Sequence, residues 1–188
     1  MKYKAIALDL DGTLLNSKKE VSNKNKEIIM KAAKAGVKII LASGRPVPGI
    51  KKIAKQLHLE EEAQLDPPVK FLCVGDHKVL RNVEAKLNEK FNGTVNVFFS
   101  EPYFLEIMPQ GIEKASSLEI LLGSLGIDRK HLIACGDGFN DIPMMRYAGL
   151  SVAMANAQDE TKEWADFIAP SNDEDGVAVA IEKFIELN

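Results

Sequence analysis

The run from Tyr3 to Leu10 is apolar on both of the faces a strand would present, and it ends in acidic residues and Gly12. A strand with two apolar faces must be covered on both sides, which points to a parallel sheet between layers of helices. The next segments agree with that reading. Ser22 can cap a helix over about Asn23 to Ala35, whose residues Ile28, Ile29, Ala32 and Ala33 share one face and which Gly36 ends. Val37 to Ala42 reads as a second buried strand, stopped by Ser43-Gly44-Arg45-Pro46, and a helix is expected over about Pro48 to Leu57. Alternating strands and helices predict an α/β, doubly wound, Rossmann-like core.

The alternation breaks at Glu60-Glu61-Glu62 and Asp66-Pro67-Pro68, an acidic stretch followed by helix breakers. Beyond it the sequence predicts a strand (Val69 to Val74), a helix (about Lys78 to Phe91) and two strands, Val95 to Phe99 and Tyr103 to Met108. The turn Ser100-Glu101-Pro102 should pair those two strands antiparallel. From Gly111 the parallel pattern resumes. Helices and strands alternate, with strands at Leu132 to Cys135, Ser151 to Met154 and Phe167 to Ala169, to a last helix from Gly176. The expected organisation is a core of residues 1–66 and 109–188 with a small α+β module, 67–108, inserted in it.

The candidate chemistry sits at strand ends. Asp9-Leu10-Asp11-Gly12-Thr13 closes the first strand, and strand alternation would point Asp9 and Asp11 to the same side. Two carboxylates so close call for a hard divalent cation with oxygen ligands, Mg²⁺ above all. A calcium loop would use Asp9, Asp11, Thr13 and Glu20, but needs glycine where Leu14 stands and a helix where the strand stands. Ser43-Gly44-Arg45 offers a hydroxyl and backbone N–H groups for phosphate oxygens. Gly136-Asp137-Gly138-Phe139-Asn140-Asp141 brings two more carboxylates to the same sheet edge. Lys114, at the start of the preceding helix, is a point charge for a nucleophile and a phosphate. His58, His77 and His131 share no metal-ligand spacing. Trp164, Met144, Met145 and Met154 read as core, and Cys73 and Cys135 as buried, reduced thiols.

Taken together these segments resemble the haloacid dehalogenase superfamily of phosphatases. The matching residues are Asp9 to Leu14, Leu41 to Pro46, Lys114 and Cys135 to Asp141; Ser100 to Ile107 and Val152 to Ala157 resemble its Cof-type branch, many of whose members resemble sugar-phosphate phosphatases. The resemblance implies that Asp9 is the nucleophile and forms an aspartyl-phosphate, while Asp11 protonates the leaving oxygen and then activates water. It implies that Thr13, Ser43, Gly44, Arg45 and Asn140 contact phosphate, that Lys114 stabilises charge, and that Asp9, Asp11 (through its backbone carbonyl), Asp137 and Asp141 form the Mg²⁺ site. The chain departs from the family after Leu57-His58-Leu59, where a third core strand and the first half of a cap are missing. The shortened module predicts either self-association through exposed strand edges or a loose module over an open crevice.

The expected function is hydrolysis of a small phosphorylated metabolite. A phospho-accepting signalling domain also gathers acids, a hydroxyl and a lysine at strand ends, but Asp9-x-Asp11 and the inserted module do not fit it. A regulatory or binding protein that keeps the acidic Mg²⁺ site without turnover is the other alternative. A net charge of -3 leaves no excess of lysine or arginine for nucleic acid or an anionic membrane. No run reaches the roughly 20 apolar residues that span a bilayer, and the N-terminus does not read as a signal peptide. A cytoplasmic enzyme is expected.

Overall fold

All four residues of β1 (Ala5–Leu8) are buried, and their alternation divides the core in two. Ile6 and Leu8 join one apolar cluster with Ile28, Ile29 and Ala32 of α1 (Asn23–Lys34) and Val177, Ala178 and Ile181 of α7 (Gly176–Phe184). Ala5 and Ala7 join a second cluster with Leu118 and Leu122 of α4 (Lys114–Leu125) and Met144 and Met145 of α5 (Ile142–Tyr147). Large residues on one face and small ones on the other thus carry helices on both sides, as a parallel sheet requires. The computed structural model describes residues 2–45, 47–59, 71–91, 93–109 and 114–187. The chain divides into two compact units, residues 1–63 with 113–188, and residues 64–112.

The first unit holds a five-stranded parallel sheet. Its other strands are β2 (Lys38–Leu41), β6 (Leu132–Gly136), β7 (Leu150–Met154) and β8 (Phe167–Ala169), in the order β2-β1-β6-β7-β8. From β1 the chain winds one way to β2 and later returns on the other side at β6. The direction therefore reverses between β1 and β6, and the crevice beyond their carboxyl ends is where such sheets bind ligands. In register, Leu8 lies beside Cys135, so the residues that come after each strand emerge together. Helices α2 (Val47–Gln56) and α6 (Asp159–Lys162) complete this unit. Ser22 caps α1 as expected, its hydroxyl accepting from the Asn25 N–H at 3.0 Å.

The second unit contains β3 (Phe71–Val74), α3 (His77–Phe91), β4 (Val95–Glu101) and β5 (Phe104–Pro109). Strand β5 is central and antiparallel to both neighbours, and β3 and β4 are the edges. The acidic and proline-rich boundary, the predicted strand residues Val69 and Lys70, Pro46, Gly111 and Glu113 lie outside the described residues. Among those described, no helix is long and apolar enough to cross a membrane.

Four expectations need correction. The second strand, expected to be buried, is an edge strand with Lys38 exposed and Ile39, Ile40 and Leu41 only partly buried. The first strand stops at Leu8 rather than Leu10, because the chain turns: Leu15 donates its N–H to the Leu10 carbonyl at 2.8 Å. Trp164 is not core but half exposed, with the Arg146 guanidinium 4.6 Å from its ring centroid. Of the two thiols, Cys135 is buried but Cys73 is only partly so, and both are free.

Candidate active site

Asp9 is the first residue after β1, and its N–H still bonds to the Cys135 carbonyl at 3.0 Å, which holds it against the end of β6. Gly12 lies just beyond at φ +88°, a conformation that favours glycine, and a Cβ there would collide with the Asp137 carboxylate. The turn it permits brings Thr13, fully buried, to donate its hydroxyl to Asp137 Oδ1 at 2.8 Å. After β6, Asp141 caps the loop from below: its Oδ2 accepts the N–H groups of Asp137 and Gly138, each at 3.0 Å. A Cβ at Gly136 would occupy the space of the Asp141 side chain, so this packing also depends on glycine.

Lys114, the first residue of α4, reaches into this cluster. Its Nζ donates to Asp9 Oδ1 and to Asp141 Oδ1, both at 2.5 Å. The side chains are only 13% (Lys114), 9% (Asp9) and 1% (Asp141) exposed, so these charges interact in a poorly screened environment. Burial and the neighbouring Asp141 carboxylate push the Asp9 pKa up to about 7, although Lys114 opposes the rise. Burial works against the Lys114 ammonium too, but Asp9 and Asp141 more than offset it and raise its pKa. Asp137 is also shifted upward, chiefly by burial. Carboxylate oxygens of Asp9, Asp137 and Asp141 lie within 4.8 Å of one another. One lysine among three such carboxylates leaves negative charge uncompensated, and an all-oxygen donor set of this kind fits a hard divalent cation.

Asp11 stands apart. With the strand ended at Leu8, its carboxylate does not join the acidic cluster but accepts a bidentate pair from Arg45, Nε and Nη2 each at 2.6 Å. Lys19 adds a third donor at 2.8 Å. Arg45 first, and then Lys19, hold the Asp11 pKa down at about 2. Thus the structure brings Asp9, Asp137, Asp141, Lys114 and Thr13 together, and sets Asp11 with Arg45 beside them. Ser43 and Gly44 come directly after β2 and Ala42; the Ser43 hydroxyl accepts the Arg45 N–H at 3.1 Å. Asn140 is exposed on the loop after β6.

Several supporting residues have no role that the sequence alone assigns. Asn156 donates to the Gly12 carbonyl at 2.8 Å and accepts the Asn172 N–H at 2.9 Å, tying the first loop to the end of β7. Gln158 uses its N–H on the Asp137 carbonyl at 3.1 Å and its side-chain oxygen on the Phe139 N–H at 3.2 Å. Lys19 belongs to a polar loop in which no spacing distinguishes it from its neighbours.

The sequence profile of the haloacid dehalogenase-like hydrolases matches residues 6–65 and 58–181. The Bacillus subtilis (strain 168) 5-amino-6-(5-phospho-D-ribitylamino)uracil phosphatase YcsE is 29% identical over 238 residues, covering 97% of this chain and 96% of that protein. That span exceeds the 188 residues present here, so a segment of YcsE has no counterpart in this chain. A phosphoglycolate phosphatase of Methanothermobacter thermautotrophicus is 27% identical, over 97% of this chain and 99% of its own length. Among solved structures, a haloacid dehalogenase-like hydrolase from Bacteroides thetaiotaomicron superposes with a TM-score of 0.89 at 36% identity, over 98% of this chain and 100% of that one. The chain therefore belongs to the haloacid dehalogenase-like hydrolase family and is a phosphoric monoester hydrolase of its Cof-type branch.

Proposed function

We propose that this phosphatase is Mg²⁺-dependent and hydrolyses small phosphorylated metabolites, sugar phosphates in particular, through an aspartyl-phosphate on Asp9. The observation that carries the reading is the Lys114 ammonium lodged between Asp9 and Asp141 in a buried triad of carboxylates. Asp9, Asp137 and Asp141 would hold Mg²⁺, which when bound supplies positive charge to the phosphate oxygens.

The Asp9 carboxylate, fixed by Lys114, attacks phosphorus; the Asp9 oxygen–phosphorus bond forms as the ester oxygen–phosphorus bond breaks. Asp11, freed of its cationic partners and protonated from solvent, gives that proton to the departing oxygen, then takes one from the water that attacks the aspartyl-phosphate and regenerates Asp9. For that exchange Arg45 and Lys19 must loosen their hold on the Asp11 carboxylate. Lys114 offsets charge on the transferring group throughout. Thr13 keeps Asp137 oriented, and Ser43, Gly44, Arg45 and Asn140 line the approach of the phosphate.

YcsE and the phosphoglycolate phosphatase are named for small organic phosphates, which supports this substrate class. Two free thiols fit a cytoplasmic setting. The edge strands β3 and β4 are candidate surfaces for self-association. The deciding experiment is a screen of sugar phosphates with and without Mg²⁺, repeated on Asp9→Asn. Loss of at least about a thousandfold in rate is expected from removal of the nucleophile. A rate within about tenfold of the parent would remove Asp9 from its role.

A further inference from the structure

Lys19 is held in place by more of the fold than an exposed surface lysine requires. Its backbone is left-handed, φ +61°, which costs free energy in any residue with a Cβ. The loop around it is closed by Asn16, whose side-chain oxygen accepts the N–H groups of Lys18 and Glu20, each at 3.0 Å, and whose carbonyl accepts the Lys19 N–H at 2.8 Å. The loop is then fastened to the core by the Ser17 N–H on Asp173 at 2.7 Å and by Asn172 on the Leu15 carbonyl at 2.8 Å. The outcome is one ammonium set 2.8 Å from Asp11 Oδ1.

That ammonium is surplus to Asp11. The Arg45 fork already engages both carboxylate oxygens, so two cations attend a single negative charge. It also lies at the solvent-exposed side of the group of charges. Exposure climbs from Asp9 and Lys114, at 9% and 13%, to Asp11 at 41% and Lys19 at 64%. The transferring phosphate belongs at the buried end with Asp9 and Lys114, and the rest of the ester extends past Asp11 toward solvent.

Resting on the hydrolytic roles proposed for Asp9 and Asp11, we infer that Lys19 is a specificity residue that selects esters whose leaving group carries a second negative charge, a carboxylate or another phosphate. When Asp11 turns to the leaving oxygen, Lys19 loses its partner and the substrate anion replaces it.

Two matched pairs test this with Mg²⁺ present. Phosphoglycerate and glycerol phosphate report kcat/KM; phosphonopropionate and propylphosphonate, which cannot be hydrolysed, report Kd by calorimetry. The parent should favour the carboxylate-bearing member of each pair. Lys19→Met should shrink both preferences about fivefold, the scale of a solvent-exposed ion pair, while Lys19→Arg keeps them. A parent without preference, a preference that survives in Lys19→Met, or failure of both phosphonates to bind overturns the inference. If phosphonate selection depends on Lys19 but neither ester is hydrolysed, charge selection stands and the hydrolytic reading falls. Hydrolysis that requires Asp9, with a ratio indifferent to Lys19, overturns charge selection and leaves the hydrolytic reading standing.

Discussion

Asp9→Asn should stabilise the metal-free protein, and by an amount that grows with pH. Asp9 is buried beside Asp141, which raises its pKa from the ordinary 3.8 to about 7. In the unfolded chain it ionises near the lower value, so between the two values the native state holds a proton that the unfolded state has released. Stability must therefore fall as pH rises through this window. At about 1.4 kcal/mol per pKa unit, the full penalty approaches about 4 kcal/mol above pH 7, with about 2 kcal/mol of it accruing between pH 5 and pH 7. Asparagine keeps the shape and removes the titration. Asp11 cannot mask the effect, because its pKa is depressed to about 2 and its contribution is lost only as pH falls below the ordinary 3.8. Urea unfolding in chelator, at several values from about pH 5 to pH 8, measures the difference between the two proteins, in which groups that do not interact with Asp9 cancel. Adding Mg²⁺ should stabilise the parent more than the variant, since the cation supplies the missing positive charge. A parent at least as stable as Asp9→Asn at about pH 8 without metal, or a difference that does not change with pH, would refute the account of the site's electrostatics.

Gly12→Ala should cost roughly 1–3 kcal/mol in stability, because the residue sits at φ +88° and its Cβ would meet Asp137; urea unfolding with enzymatic assay checks it, and activity should fall with it. Ca²⁺ should inhibit the Mg²⁺-supported reaction, since the larger ion accepts more ligands and can engage both oxygens of Asp9; titrating Ca²⁺ at fixed Mg²⁺ should lower kcat. Light scattering on the purified chain should show self-association through β3 or β4 that weakens on placing lysine at outward positions of an edge strand.

Much of this protein was legible in the sequence because the residues of its candidate site lie where local patterns change. An apolar run that ends in an acid and a glycine marks a strand end whatever the rest of the chain does. Asp9, Asp137 and Asp141 were singled out that way, Ser43 by the glycine and proline that stop its strand, and Ser22 as the cap of the helix that follows it. Periodicity, however, describes a residue only relative to its own element. It placed Asp11 beside Asp9 because it assumed that the strand continued, whereas the chain turns after Leu8 and delivers Asp11 to Arg45. Which acids gather at one place, and which lysine reaches them, depends on β1 pairing with β6 and on α4 starting beside both. The Lys114–Asp9 contact spans 105 positions of chain. Lys19 is the extreme case: a left-handed backbone, a loop closed by Asn16 and an anchor on Asp173 set its position. Contacts between distant segments exist only once strand order and register are settled, so tertiary packing alone decided which charges would meet.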